Sequence, residues 1–274
     1  MRIAFIGGGN MAAALIAGLA GKLTAGANIH VVDPNAQALA ALAGRHGVGT
    51  AHAIDGTVAG CDIVVLAVKP QQMREVAAAL QPLLAQAAPA PLILSIAAGI
   101  RGADLARWLG GYTAIVRTMP NTPALIGMGI TGMVALAGVS AAQKAAADAV
   151  MRAVGATVWL DDEGLIDPVT AVSGSGPAYV FYFIEAMQQA AQEMGLSAEQ
   201  GRQLALATFT GAAQLAAQSD EPVALLRERV TSKGGTTFAA ISSMEQSGVK
   251  DAIVRAMKAA AERGRALGDE LGAD

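Results

Sequence analysis

The stretch "IAFIGGGNMAAALIAGL", residues 3–19, decides the fold. It reads as a short apolar strand, a glycine turn and then an apolar helix that begins near Asn10. Gly7, Gly9 and Ala12 fill the G-x-G-x-x-G/A pattern. The first glycine permits a tight turn, the second lets the backbone approach a pyrophosphate, and the alanine permits close packing of the helix on the strand. The stretch therefore predicts the first unit of a dinucleotide-binding domain.

The rest of the first half alternates strands and helices, which is typical of a parallel sheet. The predicted strands cover residues 2–6, 28–32, 62–68, 92–97, 114–118, 132–136 and 156–160. Helices are predicted at 10–22, 36–45 and 71–84. After the acidic turn "DDEG", residues 161–164, only helix patterns follow, at 164–194, 197–218, 222–229, 236–246 and 249–271. We expect an α/β protein: a Rossmann-type, mostly parallel sheet in domain 1–162 and an all-helical domain 163–274.

The predicted cofactor site follows the carboxyl edge of this sheet, where ligands bind in such folds. A carboxylate at Asp33 accepts a hydrogen bond from a ribose 2′-OH and repels a 2′-phosphate, which favours NADH; alternatively, Asp33 only opens the turn before Pro34. Lys69 is either a phosphate or substrate contact or a solvated strand end, and Asn121 binds the nicotinamide amide or orients its own loop. The candidate cofactor-binding residues are Ile6, Gly7, Gly8, Gly9, Asn10, Met11, Asp33, Ala67, Val68, Lys69, Pro70, Ala97, Ala98, Gly99 and Asn121.

Composition restricts the partners of the chain. The net charge of −3 argues against a nucleic-acid partner, and no apolar run reaches the ~20 residues that span a bilayer. With one cysteine, Cys61, no intrachain disulfide is expected, and no cluster of residues suggests a metal site. We expect a soluble cytoplasmic protein that does not associate with membranes. The alanine-rich helices have few large side chains, so we expect the helical domain to complete its core as a homodimer or a larger oligomer.

A second candidate site lies in the segment "VTSKGGTTFAAI", residues 230–241. Glycines next to hydroxyl residues at a helix start expose backbone N–H groups and small donors, which suits an anion. The alternative is an ordinary Ser/Thr helix cap with a glycine turn.

Six motifs follow one another along the chain: "GGGNMAAAL", "AVKP", "SIAAGI", "RTMPNTPALIGMG", "AVSGSGPAYVF" and "VTSKGGTTFAAI". In these motifs and their order the chain resembles the pyrroline-5-carboxylate reductase family along nearly its whole length. The resemblance implies reduction of the cyclic imine 1-pyrroline-5-carboxylate to L-proline with NAD(P)H, the last step of proline biosynthesis. It also implies an intertwined homodimer and favours NADPH, whereas Asp33 leaves NADH open.

The resemblance also implies roles for single residues. It assigns the substrate carboxylate to the loop and makes Thr237 the catalytic hydrogen-bond donor to the ring nitrogen. Lys233 departs from the family pattern, which usually has proline there, and we expect its side chain to face solvent. The implied substrate-binding residues are Val230, Thr231, Ser232, Gly234, Gly235, Thr236 and Thr237.

Two other functions fit parts of the pattern. A β-hydroxyacid-type dehydrogenase shares the glycine fingerprint and a helical domain, but it needs a general acid or base, usually a helix-borne lysine. The helix that follows "SGSGPAY" has no lysine over residues 187–194. A non-catalytic, dinucleotide-sensing dimer would have no need for a second anion site.

Overall fold

A computed structural model describes residues 1–273 of the chain. Eight strands form one sheet: β1 (Ile3–Ile6), β2 (Ile29–Val32), β3 (Gly49–Ala51), β4 (Ile63–Leu66), β5 (Leu92–Ser95), β6 (Ile115–Met119), β7 (Gly129–Ala135) and β8 (Gly155–Trp159). Their order is β3-β2-β1-β4-β5-β6-β7-β8, and among these described strands only the β6–β7 pair is antiparallel. The strand order reverses between β1 and β4, which opens a crevice at their carboxyl ends. The predicted Rossmann-type, mostly parallel sheet is confirmed.

Within residues 1–273, twelve α-helices accompany the sheet. They are α1 (Asn10–Leu19), α2 (Ala36–His46), α3 (Gly56–Ala59), α4 (Met73–Leu84), α5 (Gly102–Trp108), α6 (Ala141–Arg152), α7 (Ile166–Val169), α8 (Gly176–Glu193), α9 (Ala198–Ala217), α10 (Val223–Arg229), α11 (Thr236–Gln246) and α12 (Val249–Gly272). Over residues 1–273, no helix is both long and apolar enough to cross a membrane.

Both faces of the sheet carry a core, because successive strand side chains point to opposite sides. Ile3 and Phe5 of β1 pack with Leu15 and Ile16 of α1 on one face. Alternate strand residues pack with the buried side of α4 and α5 on the other. Near-continuous apolar strands are the pattern expected of a parallel sheet covered on both sides.

The chain divides into two compact units. The first contains residues 1–175 together with the last helical turns from residue 260 onward, and the second contains 176–259. Arg101 Nη2 lies 2.6 Å from Asp269 Oδ1 within the first unit, and Gly268 is buried there. The division of the chain into domains 1–162 and 163–274 stays a prediction.

The predicted helix over 164–194 is not continuous. A 3₁₀ turn (Glu163–Leu165) leads into α7, a π-helical turn (Thr170–Gly174) follows, and α8 begins at Gly176. The Ser175 N–H donates to the Thr170 carbonyl at 2.8 Å. A Cβ at Gly174 would lie 2.6 Å from Met119 Cε, so a larger residue there would require the end of the Met119 side chain to move.

The second unit has a thin core. Phe183 of α8 and Phe209 of α9 place their ring centroids 6.5 Å apart, and a Cβ at Gly201 would lie 3.0 Å from that of Ala191. Large apolar side chains are nevertheless exposed on α8, where Phe181 is 61% and Tyr182 72% accessible. An apolar surface of this kind is typical of a protein–protein interface.

Candidate cofactor and substrate sites

The glycine turn after β1 has the shape that the fingerprint predicts. Gly7 has a φ of +102°, and a Cβ there would lie 2.5 Å from the Ala67 carbonyl oxygen, which follows β4. Only glycine fits this position. Around Gly9, by contrast, a Cβ would meet nothing within 4 Å in the described chain, and no side chain caps α1. The N-terminus of α1 is therefore free to approach a pyrophosphate.

Asp33 has a structural role beside this turn. Its Oδ2 accepts a hydrogen bond from the Gly8 N–H at 2.7 Å, and its Oδ1 accepts one from the Asn35 N–H at 2.8 Å. The carboxylate thus ties the end of β2 to the glycine turn and opens the turn before Pro34. Each carboxylate oxygen has a further lone pair, so a ribose hydroxyl can still bind.

The ends of β4 and β5 lie at the same edge of the sheet. Ala67 and Val68 are half-buried, and Lys69 is exposed just before the 3₁₀ turn Pro70–Gln72. Ala97 is buried and Gly99 has a φ of +72°. The side chains at the ends of β4 and β5 are thus mostly small, and a Cβ at Gly99 would lie 3.2 Å from Leu271 of α12.

Asn121 is buried just beyond β6 and orients its own loop. Its side-chain Oδ1 accepts a hydrogen bond from the Ile130 N–H at 3.0 Å, which joins this loop to β7. Thr118 Oγ1 donates to the Ser95 carbonyl at 3.0 Å and holds β6 to β5. Within residues 1–273, the Asn121 amide nitrogen has no hydrogen-bond partner, so it is available to a bound group.

Sequence reasoning missed one charged pair in this unit. Arg117 of β6 is buried, and its guanidinium donates to the carboxylate of Glu163. The same carboxylate oxygen accepts the Gly102 N–H at 2.5 Å. The sequence did contain an indication of this pair. Arg117 lies inside a mostly apolar strand, and a buried guanidinium requires a carboxylate partner.

In the second unit, the predicted substrate loop forms a tight turn before α11. Gly234 has a φ of +75°, and the Gly235 N–H donates to the Ser232 carbonyl at 3.0 Å. A Cβ at Gly235 would lie 2.7 Å from Ser232 Oγ. The positive φ favours glycine at position 234, and a side chain at position 235 would require the Ser232 hydroxyl to move.

The loop leaves the start of α11 uncapped. No side chain in the described chain caps this helix, and the N–H groups of Thr236, Thr237 and Phe238 donate to no other described residue. Thr237 is half-buried. The loop thus presents backbone donors and two threonine hydroxyls at the positive end of a helix, which favours an anion.

Neighbouring contacts fix the entry to this loop. Thr231 Oγ1 donates to the Arg227 carbonyl at 2.6 Å, and Arg229 forms an ion pair with Glu221. The Lys233 side chain is exposed.

Comparisons with known proteins show the family to which the chain belongs. Residues 2–99 match the family model described as NADP oxidoreductase coenzyme F420-dependent, and residues 163–267 match the one described as Pyrroline-5-carboxylate reductase dimerisation. A pyrroline-5-carboxylate reductase from Pseudomonas aeruginosa is 49% identical over 99% of this chain and 98% of its own length. The chain belongs to the pyrroline-5-carboxylate reductase family.

Solved structures of the family agree with this assignment. The Coxiella burnetii reductase superposes with a TM-score of 0.91 at 38% identity, covering 97% of this chain and 98% of its own. The Plasmodium falciparum reductase, solved with NADP bound, gives a TM-score of 0.85 at 30% identity and covers 98% of both chains.

The family assignment confirms the predicted activity. The chain is an NAD(P)H-dependent oxidoreductase that reduces 1-pyrroline-5-carboxylate to L-proline in proline biosynthesis. It acts on a small-molecule substrate and forms a homodimer through its dimerisation region. The two alternatives, a β-hydroxyacid-type dehydrogenase and a non-catalytic dinucleotide sensor, are set aside.

Proposed function

We propose that the loop 230–237 binds the carboxylate of 1-pyrroline-5-carboxylate and that Thr237 donates a hydrogen bond to the ring nitrogen. The observation that carries the proposal is the uncapped start of α11, where three backbone N–H groups have no partner in the described chain. The helix dipole and two threonine hydroxyls add to the attraction for a carboxylate. The substrate-binding set comprises Val230, Thr231, Ser232, Gly234, Gly235, Thr236 and Thr237.

The chemistry of an imine explains this arrangement. The imine carbon accepts hydride readily only when the nitrogen is protonated or strongly hydrogen-bonded. A hydroxyl donor at Thr237 stabilises the electron density that collects on nitrogen as the C=N bond is reduced. The N–H groups of Thr236 and Thr237 hold the carboxylate, so the ring is fixed in one orientation and loses less freedom during reaction.

On the cofactor side, we propose that the glycine turn and the strand ends hold NAD(P)H, which supplies the hydride. The N-terminus of α1, entered through Gly9, binds the pyrophosphate, and Asp33 lies beside the ribose. The residues in this role are Ile6, Gly7, Gly8, Gly9, Asn10, Met11, Asp33, Ala67, Val68, Lys69, Pro70, Ala97, Ala98, Gly99 and Asn121. The open space around Gly9 and the free amide nitrogen of Asn121 support this assignment.

We also propose that the enzyme works in the cytoplasm. Cys61 is a buried free thiol, and burial raises its pKa. An unpaired cysteine suits a reducing compartment. Cell fractionation with an antibody against the chain tests this location.

The substrate role is tested with Thr237→Ala and Thr237→Ser. We expect Thr237→Ala to lower kcat by roughly 10- to 1000-fold, the effect of losing one positioned donor, and Thr237→Ser to retain most activity. Thr210→Ala, on the exposed surface of α9, is the matched control. Unchanged kcat in Thr237→Ala would rule out the donor role.

A further inference from the structure

We propose that Glu163 is a positioning residue for NAD(P)H binding, because it fixes the turn 96–102 between β5 and α5. The inference rests on the proposed role of Ala97, Ala98 and Gly99 in holding the cofactor. Glu163 itself is assigned no contact with the cofactor or the substrate.

One carboxylate oxygen of Glu163 makes both contacts. Glu163 Oε1 accepts the N–H of Gly102 at 2.5 Å and also accepts a hydrogen bond from the Arg117 guanidinium. Gly102 is the first residue of α5 and follows the turn directly. A Cβ at position 102 would lie 2.6 Å from Leu136 Cδ1 and 3.2 Å from Glu163 Oε1. The glycine therefore allows the carboxylate to reach the backbone at the end of the turn.

The buried Arg117 side chain holds the Glu163 carboxylate in place. Arg117 belongs to β6, where it pairs with Ser95 of β5, and its side chain is only 6% exposed. Within residues 1–273 the guanidinium forms no ion pair with another carboxylate. A buried guanidinium holds its single carboxylate partner firmly, since separating the two would leave an uncompensated buried charge. The position of Glu163 is thus set by the sheet.

The turn is held by its neighbours at several points. Its residues 97–99 are two alanines and a glycine, and Ile100 is buried in the core beside them. On one side, Gly99 packs against Leu267 and Leu271 of α12. On the other side, the Gly102 N–H binds Glu163. Loss of the Glu163 contact removes the hydrogen bond at the end of the turn, while Ile100 stays buried in the core and Arg101 stays paired with Asp269.

The expected effect is on cofactor binding. Glu163→Gln keeps the size of the side chain but removes the charge opposite Arg117. The amide oxygen still faces both donors, but as a neutral acceptor it binds the Arg117 guanidinium and the Gly102 N–H less strongly than a carboxylate does. A misplacement of about 1 Å, even one caused by a mutation far from the reacting atoms, can lower the reaction rate as much as 10²-fold. We expect the KM and Kd for NADPH to rise roughly tenfold, with a KM for pyrroline-5-carboxylate close to that of the wild type. We also expect a lower Tm, because the buried Arg117 loses its charged partner.

The experiment compares Glu163→Gln with Glu270→Gln. The control makes the same substitution in the exposed ion pair of Glu270 with Arg263. NADPH affinity is measured by fluorescence titration, and hydrogen exchange follows the amides of residues 96–102. Weaker NADPH binding together with faster exchange in this turn supports the inference, provided that Glu270→Gln changes neither. Unchanged NADPH affinity in folded Glu163→Gln overturns it.

Two further variants complete the test. Should Glu163→Gln fail to fold, Glu163→Asp, which keeps the charge but shortens the reach, is judged by the same two readouts. Ala98→Leu tests the underlying cofactor role separately. If Ala98→Leu leaves NADPH affinity unchanged, residues 97–99 do not hold the cofactor. The inference about Glu163 is then wrong as well. If Ala98→Leu weakens binding and Glu163→Gln does not, only the inference is wrong.

Discussion

Asp33 and Gly8 are joined by a hydrogen bond of 2.7 Å from the glycine N–H to the carboxylate Oδ2. The bond connects the end of β2 to the turn after β1. Asp33 therefore shapes the turn that we propose to bind the pyrophosphate, and its negative charge lies where the 2′ position of a ribose is expected.

Removal of that charge should change cofactor preference. We expect Asp33→Asn to raise the ratio of kcat/KM for NADPH to that for NADH by roughly fivefold or more, since repulsion between unit charges is worth about 1 kcal/mol even in water. The ratio is measured in steady-state assays with both cofactors. Asp55→Asn, which changes the cap of α3 in the same way, is the control and should leave the ratio unchanged. An unaltered ratio in Asp33→Asn would leave Asp33 with its turn-forming role alone.

Gly7 and Gly9 should respond differently to the same substitution. Gly7→Ala places a methyl group 2.5 Å from a carbonyl oxygen at a φ of +102°, so we expect Tm to fall by about 4 °C or more. Gly9→Ala meets no neighbour within 4 Å in the described chain, so its Tm should stay near that of the wild type. Its KM for NAD(P)H should nevertheless rise roughly tenfold, because the methyl group occupies the approach of the pyrophosphate. A normal KM in Gly9→Ala would contradict the proposed cofactor position.

Asp148 should make stability depend on pH. Burial alone would raise the pKa of this carboxyl, but hydrogen bonds from Arg152, Thr157 and Trp159 lower it below the ordinary value of 3.8. Because the folded pKa is depressed, the stabilisation is complete above the unfolded value and is lost as pH falls through the folded value. We expect Asp148→Asn to lose roughly 1–2 kcal/mol at pH 7, and the difference from the wild type to shrink below about pH 4.

Urea unfolding at several pH values measures this difference. Asp220→Asn, at an exposed aspartate, is the control and should show little change at any pH. A constant destabilisation of Asp148→Asn across the pH range would mean that its charge is unimportant.

We expect the exposed apolar surface of α8 to form part of the dimer interface. Phe181 is 61% accessible in the single chain and lies in the dimerisation region. We expect Phe181→Glu to shift the protein to monomers at micromolar concentration, since a charge at a buried interface is costly. Sedimentation velocity measures the shift. Leu23→Glu, at an exposed leucine outside residues 163–267, should remain dimeric. Dimers in both variants would place the interface elsewhere.

Local patterns predicted most of the first unit. The seven predicted strands are present with bounds shifted by one to three residues, because buried parallel strands have continuous apolar runs. The three-residue edge strand β3 was missed because its residues are exposed or half-buried and carry no apolar run. The short α3 and α5 were also missed, as was α6, although its capping box of Ser140 and Gln143 was readable in the sequence.

The sequence by itself determined the fold class, the glycine turn and the family chemistry, because each depends on residues close together in the chain. Only the tertiary structure decided which distant residues share a contact. The bond of Asp33 to Gly8, the close approach of Gly174 to Met119 and the binding of Glu163 to Arg117 and Gly102 all join segments separated along the chain. Such contacts depend on strand order and on the direction in which each side chain points, and neither leaves a local pattern in the sequence.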